Sequence, residues 1–150
     1  MKVGLIRHFE VTRGYPNKVV TAEGLLEWIK EYGESNVIIK DVDLEGVNWT
    51  RCYSSDLSRA KVTAETIYSG DIKYSSALRE VTLTPVLPKS LKMPLLFHLL
   101  CIRFAFYLNH RSQTETRRTV SRRINQFLDE VLASNEDTLI VGHGGMMIFM

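Results

Sequence analysis

Three observations predict an α/β fold: a three-layer sandwich with a mostly parallel central sheet flanked by helices. Residues 3–6 and 138–141 form short apolar runs, the pattern of strands buried on both faces. Segments of helical period alternate with such strands along the chain, which favours crossover connections and a parallel sheet. The two apolar runs lead into His8 and His143. Ligands of open α/β sheets gather outside the carboxyl ends of the strands, so two histidines delivered to one sheet edge make a site. The 150 residues are read as a single domain, 1–150, with a helical cover segment around 82–112.

Taken in order, the first strand ends in Arg7-His8-Phe9-Glu10, and a polar loop over 11–20 carries Arg13, Gly14, Pro16 and Asn17. Thr21 fits a helix N-cap, followed by Leu25, Leu26, Trp28, Ile29 and Tyr32 at helical spacing, with Gly33 as a stop. Residues 36–48 alternate acidic and apolar side chains and point to no one element. Residues 51–54 read as a second strand, Ser55-Asp56 as a cap, and 57–68 as a helix with Arg59 in its first turn. A third strand at 72–74 leads to Leu78-Arg79-Glu80. Beyond two prolines comes an apolar, aromatic-rich run expected to be helical. A long helix over 114–133 follows, with Val120, Ile124, Phe127, Leu128 and Val131 on its apolar face. Arg117, Arg118, Arg122 and Arg123 fall largely off that face and are read as solvated.

Composition excludes several classes. A net charge of +2 is too small to imply nucleic acid, and no recognition motif supports it. Cys52 and Cys101 make neither a metal-ligand cluster nor a disulfide framework, which fits a reduced compartment. Met1-Lys2 runs straight into the first strand, so no signal peptide is expected. The most apolar window, 93–108, contains His98 and Arg103 and is short for a membrane span. A soluble, cytoplasmic protein without a membrane partner is the expectation. Residues 144–150 look like a helix just starting, and one turn is barely stable alone. That end must pack on something or belong to a shortened version of a longer chain. Left uncovered, its apolar residues would favour a homodimer.

Four motifs together carry a family resemblance: Leu5-Ile6-Arg7-His8, the run 54–60 with Thr63-Ala64-Glu65, Leu78-Arg79-Glu80, and Gly142-His143-Gly144-Gly145. Their order and spacing resemble the histidine phosphatase superfamily, which includes cofactor-dependent phosphoglycerate mutases. The resemblance implies that His8 is the nucleophile, that Arg7, Arg59 and His143 bind phosphate, and that Glu80 is the general acid or base. It implies no metal and no cofactor.

The chemistry is consistent with those residue types. Phosphoryl transfer is mostly positioning and electrostatic stabilisation of three non-bridging oxygens. A planar guanidinium donates two hydrogen bonds to a phosphate and stays charged. A neutral imidazole can attack phosphorus, and a carboxylic acid can protonate the leaving alkoxide. Taken singly, Arg59 could equally pair with Asp56 on its own helix, and Glu80 could be a surface carboxylate.

The sequence departs from the family at Phe9, where glycine is usual, and at Val11 and Gly14, with Thr12, Arg13 and Asn17 as substitutes; Arg13 is an additional candidate for anion contact. The expected function is a metal-independent phosphomonoesterase acting on a small phosphorylated substrate. A mutase-type phosphotransferase is the alternative within the same chemistry. A catalytically weak protein that binds phosphate or regulates through it is the alternative from another class.

Overall fold

The computed structural model describes residues 1–16, 18–44 and 46–150; Asn17, one of the substitutes named above, lies outside the described residues. The elements run β1 (Val3–Arg7), β2 (Val19–Thr21), α1 (Ala22–Glu34), β3 (Arg51–Ser55), α2 (Ser58–Ile67), β4 (Ile72–Ser75), β5 (Lys92–Pro94), α3 (Leu95–Tyr107), α4 (Arg117–Ala133), β6 (Thr138–Gly142) and α5 (Gly144–Met147). A short 3₁₀ turn, Ser76–Leu78, leads out of β4.

The central sheet is parallel throughout, in the order β1-β6-β3-β4. Side chains alternate across it, and the two faces acquire separate cores. Cys52, Leu139 and Val141 meet Ala60 and Ala64 of α2. Tyr53 and Ile140 face Val120, Ile124, Phe127 and Val131 of α4, with Met146 from α5 and Phe106 from α3. These layers place β6 in the middle, with all five of its residues buried.

β1 departs from expectation. It is an edge strand rather than one buried on both faces, and Val3 and Leu5 remain 38% and 46% exposed. Only its inward residues pack: Ile6 joins the α2 core, and Gly4 admits the Trp49 ring, which a Cβ would meet at 2.7 Å.

Thr21 caps α1 as its sequence suggests, accepting from the Gly24 N–H at 3.0 Å. Gly33 does not stop that helix, which continues through Glu34 to Ser35, because glycine weakens a helix without forbidding it. Nor do Ser55-Asp56 cap α2. Its N-cap is Leu57, whose own N–H is received by the Ser55 hydroxyl at 3.3 Å. α4 starts three residues later than its period suggests, at a capping box between Thr116 and Thr119. The small antiparallel pair β2–β5 joins segments about seventy residues apart, so no local pattern predicts it.

α3 carries apolar residues on every side, with Arg103 as a charged exception on its exposed surface. His98, Ile102, Ala105 and Phe106 point inward, while Leu96 and Leu108 are left largely exposed. At the other end, Met147, Phe149 and Met150 pack on the α4 core together with the buried Met146, and Ile148 stays exposed. No helix among the described residues is long and apolar enough to cross a membrane.

Candidate active site

β1 and β6 pair in register, Arg7 opposite Gly142, so the residues that follow each strand emerge side by side. The His8 N–H donates to the Gly142 carbonyl at 2.9 Å, extending that pairing one step past the strand. As a result the two imidazoles face one another, with centroids 5.1 Å apart.

His8 has a defined tautomer. Its Nδ1 lies 2.6 Å from the Phe9 carbonyl oxygen, which can only accept, so Nδ1 carries the proton. The Nε2 lone pair is therefore available, and the Arg59 Nε–H donates to it at 3.3 Å. Burial, opposed by the Phe9 hydrogen bond and reinforced by Arg59 and Arg7, lowers the His8 pKa to about 4. The ring is neutral near pH 7, as an attacking nitrogen must be. Phe9 contributes through its backbone, whose N–H donates to Thr63 Oγ1 at 2.9 Å while its carbonyl fixes the imidazole. Its side chain is 6% exposed and forms part of the cavity wall.

His143 is fully buried, and its Nε2 lies 2.9 Å from Ser55 Oγ. Ser55 already accepts from the Leu57 N–H, so its hydroxyl proton is available to Nε2. With that proton given to Nε2, the imidazole proton stands on Nδ1; among the described residues Nδ1 is buried and has no hydrogen-bond partner. Burial first, then Arg59, His8 and Arg7, lower the His143 pKa to about 3.

Arg59 does not pair with Asp56. Asp56 is held by both arms of Arg79 at 2.7 Å each, which lowers its pKa, and Arg59 is left to face His8. Arg59 is 7% exposed, and its guanidinium lies 5.6 Å over the Tyr32 ring. Burial lowers its pKa, against the pull of Tyr32 and Glu80. Among the described residues, neither Arg7 nor Arg59 has a carboxylate within ion-pair distance.

Glu80 lies near enough to Arg59 to pull that group's pKa upward. It accepts from the Val81 N–H at 3.0 Å and the Gly145 N–H at 3.2 Å. A Cβ on Gly145 would stand 2.5 Å from Glu80 Oε1, so glycine there makes room for the carboxylate. Arg13 is also near the site, but its Nε is bound to Glu31 Oε2 at 2.7 Å.

Two residues acquire roles that their sequence context did not suggest. Arg79 fixes the Asp56 turn. Arg123, read from sequence as solvated, instead reaches the carbonyls of Ala77 and Arg79 at 2.7 and 2.9 Å and ties down the segment that carries Glu80. The signal for both was faint: an arginine among arginines, and a motif arginine beside the more conspicuous Glu80.

A cavity of about 360 Å³ opens on this side of the sheet. Arg7, His8 and Phe9 reach it from one flank; Arg13, Tyr15, Trp28 and Tyr32 line the other. Arg59, Glu80 and His143 do not line it; Arg59 and His143 are buried. Among the described residues, no three His, Cys, Asp or Glu side chains gather as a metal site.

A parallel α/β sheet that presents two neutral histidines and two unpaired arginines beyond its strand ends defines a site for an anion that accepts several hydrogen bonds. Residues 31–150 match the family model of the histidine phosphatase superfamily (branch 1), and the chain belongs to that superfamily. Arg7 and His8 lie outside the matched residues, so their membership of the site rests on the geometry above. Among solved structures, the chain is similar to that of a candidate alpha-ribazole-5'-P phosphatase from Escherichia coli K-12. The TM-score is 0.55, with 18% identity over 98% of this chain and 76% of the other, a likeness of fold. No curated protein sequence matches the chain.

Proposed function

We propose that the protein is a phosphomonoesterase that passes a phosphoryl group through His8 to water. The supporting observation is the unpaired charge of Arg7 and Arg59 beside a neutral His8 whose Nε2 lone pair is free of a proton. In the first step Nε2 attacks phosphorus. The N–P bond forms, the ester P–O bond breaks, and protonated Glu80 gives its proton to the departing alkoxide. In the second step the Glu80 carboxylate takes a proton from water, the resulting oxygen attacks phosphorus, and the N–P bond breaks to release inorganic phosphate and neutral His8. Arg7, Arg59 and the His143 Nδ1–H stabilise the non-bridging oxygens in both transition states.

Hydrolysis is favoured over a mutase reaction because the cavity mouth is open. Arg7, Glu10 and Tyr15 are all exposed at it, and water has access to a phosphoenzyme. The test is turnover of p-nitrophenyl phosphate with a chelator present, combined with acid and alkaline treatment of the enzyme quenched during turnover. Chelator-resistant hydrolysis with an acid-labile, alkali-stable phosphoenzyme is expected. Phosphate or vanadate binding without any turnover would reduce the protein to a phosphate-binding one.

A further inference from the structure

The far flank of the cavity holds three aromatic rings in sequence. Tyr15 stacks on Trp28 with centroids 6.0 Å apart and planes 17° from parallel, and Trp28 meets Tyr32 at 5.1 Å. Tyr32 in turn lies under the Arg59 guanidinium, which donates to His8. The series therefore runs from the nucleophile to the solvent. Trp28 is fastened by its Nε1–H to the Gly14 carbonyl at 2.8 Å, which fixes the indole plane. Tyr15 is 82% exposed, so its ring gains little from folding and presents a bare face at the cavity mouth. Near that flank Arg13 is held by Glu31, and Glu10 at the mouth is held by Lys40.

Resting on the phosphatase reading, we infer that Tyr15 and Trp28 form a stacking wall for the alcohol part of the substrate, a phosphate monoester bearing a planar aromatic ring. The cationic end of the cavity takes the phosphate, and the ring lies along the aromatic flank. Offset stacking of flat rings at such distances is the favoured geometry, and a wall whose indole is already fixed loses little freedom on accepting a ring. Two chemistries share this description: an aryl ester, with the ring on the bridging oxygen, and a nucleoside 5'-monophosphate, with the ring one sugar away.

The test compares kcat/KM for phenyl phosphate and for adenosine 5'-monophosphate, each divided by that for glycerol 3-phosphate, in the natural protein, Tyr15→Ala and Trp28→Leu. Taking ratios removes general losses, including partial unfolding. At least one aromatic ester should lose about tenfold in its ratio in both variants, the scale of a stacked pair. Loss confined to phenyl phosphate assigns the aryl ester, and loss confined to the nucleotide assigns the longer reach. Unchanged ratios for both overturn the inference while hydrolysis, and so the phosphatase reading, stands.

If the natural protein hydrolyses no ester, that reading fails instead, and fluorescence decides the wall by itself. Trp49 lies in another cavity, against Gly4 and Leu139. Quenching by phenyl phosphate or the nucleotide, absent with inorganic phosphate and lost in Trp28→Phe, supports the wall; equal quenching by all three anions overturns it.

Discussion

β1 and β6 look alike as sequences, each a short apolar run followed by a histidine, yet the fold uses them differently. β6 is central and buried on both faces, and its His143 is sealed beneath the site with Nε2 committed to Ser55. β1 lies at the sheet edge, and its His8 keeps Nε2 toward the buried arginine and the cavity. The residue after the edge strand lines the cavity while being only 6% exposed, and the residue after the central strand is fully buried and does not line it.

The largest effect should come from exchanging the two histidines' roles. His8→Ala is expected to lower kcat by roughly four orders of magnitude and to abolish phosphoenzyme, since it removes the bond-forming atom. His143→Gln, which keeps a hydrogen-bonding side chain, should retain a trappable phosphoenzyme at a reduced rate. Phosphoenzyme that survives His8→Ala and vanishes in His143→Gln would invert the assignment.

At the level of packing the contrast reverses. Ile140→Ala, in the middle of β6 and fully buried, should destabilise the fold by about 2–5 kcal/mol through lost burial and a cavity. Leu5→Ala on β1 should cost less than about 1 kcal/mol, because nearly half of that side chain is already in water. Urea unfolding of the two variants measures this directly. Equal costs would mean that the β1 edge is covered in solution.

What could be read from sequence follows the same division between local and distant causes. The Thr21 cap, both histidine strands, and α2 and α4 are each written within a few residues, and periodicity finds them. The edge position of β1 is not, because it depends on β1 pairing with β6 on one side and, among the described residues, with no strand on the other, which no local pattern records. Nor is the Arg79–Asp56 fork, which spans 23 residues, or the Arg123 tie to Ala77, which spans 46. The motif residues around the site were legible as types, and their order suggested a phosphate pocket. The aromatic flank was hidden because Trp28 and Tyr32 fit the apolar period of α1 equally well as core residues.

Acid should weaken the fold through both histidines at once. Their pKa values are lowered in the folded protein, so the unfolded chain takes up two protons near pH 6.5 that the folded chain accepts only around pH 4 and pH 3. The stability contributed above pH 6.5 is thus lost as pH falls toward those folded values. Between about pH 5.5 and 4.5 their contribution should change by about 2.7 kcal/mol per pH unit, two protons' worth. In His8→Ala that contribution should drop to about half. An identical slope in the variant would show that His8 is as open to protons as an unfolded histidine, contrary to its burial.

The smallest expected effect probes how His143 is held. Ser55→Ala removes the hydroxyl that meets Nε2 and receives the Leu57 N–H, without touching any atom that would contact phosphate. If Ser55 fixes the imidazole with its proton on Nδ1, the ring in the variant is free to shift that proton to Nε2, and the donor facing the anion is lost part of the time. Phosphate inhibition and kcat should then weaken together by about tenfold, with phosphoenzyme still formed at His8. Ser55→Thr, which keeps the hydroxyl, should restore both. A loss of stability with unchanged kcat and phosphate affinity would instead make Ser55 a packing residue, and the His143 proton would then be placed by something other than this hydrogen bond.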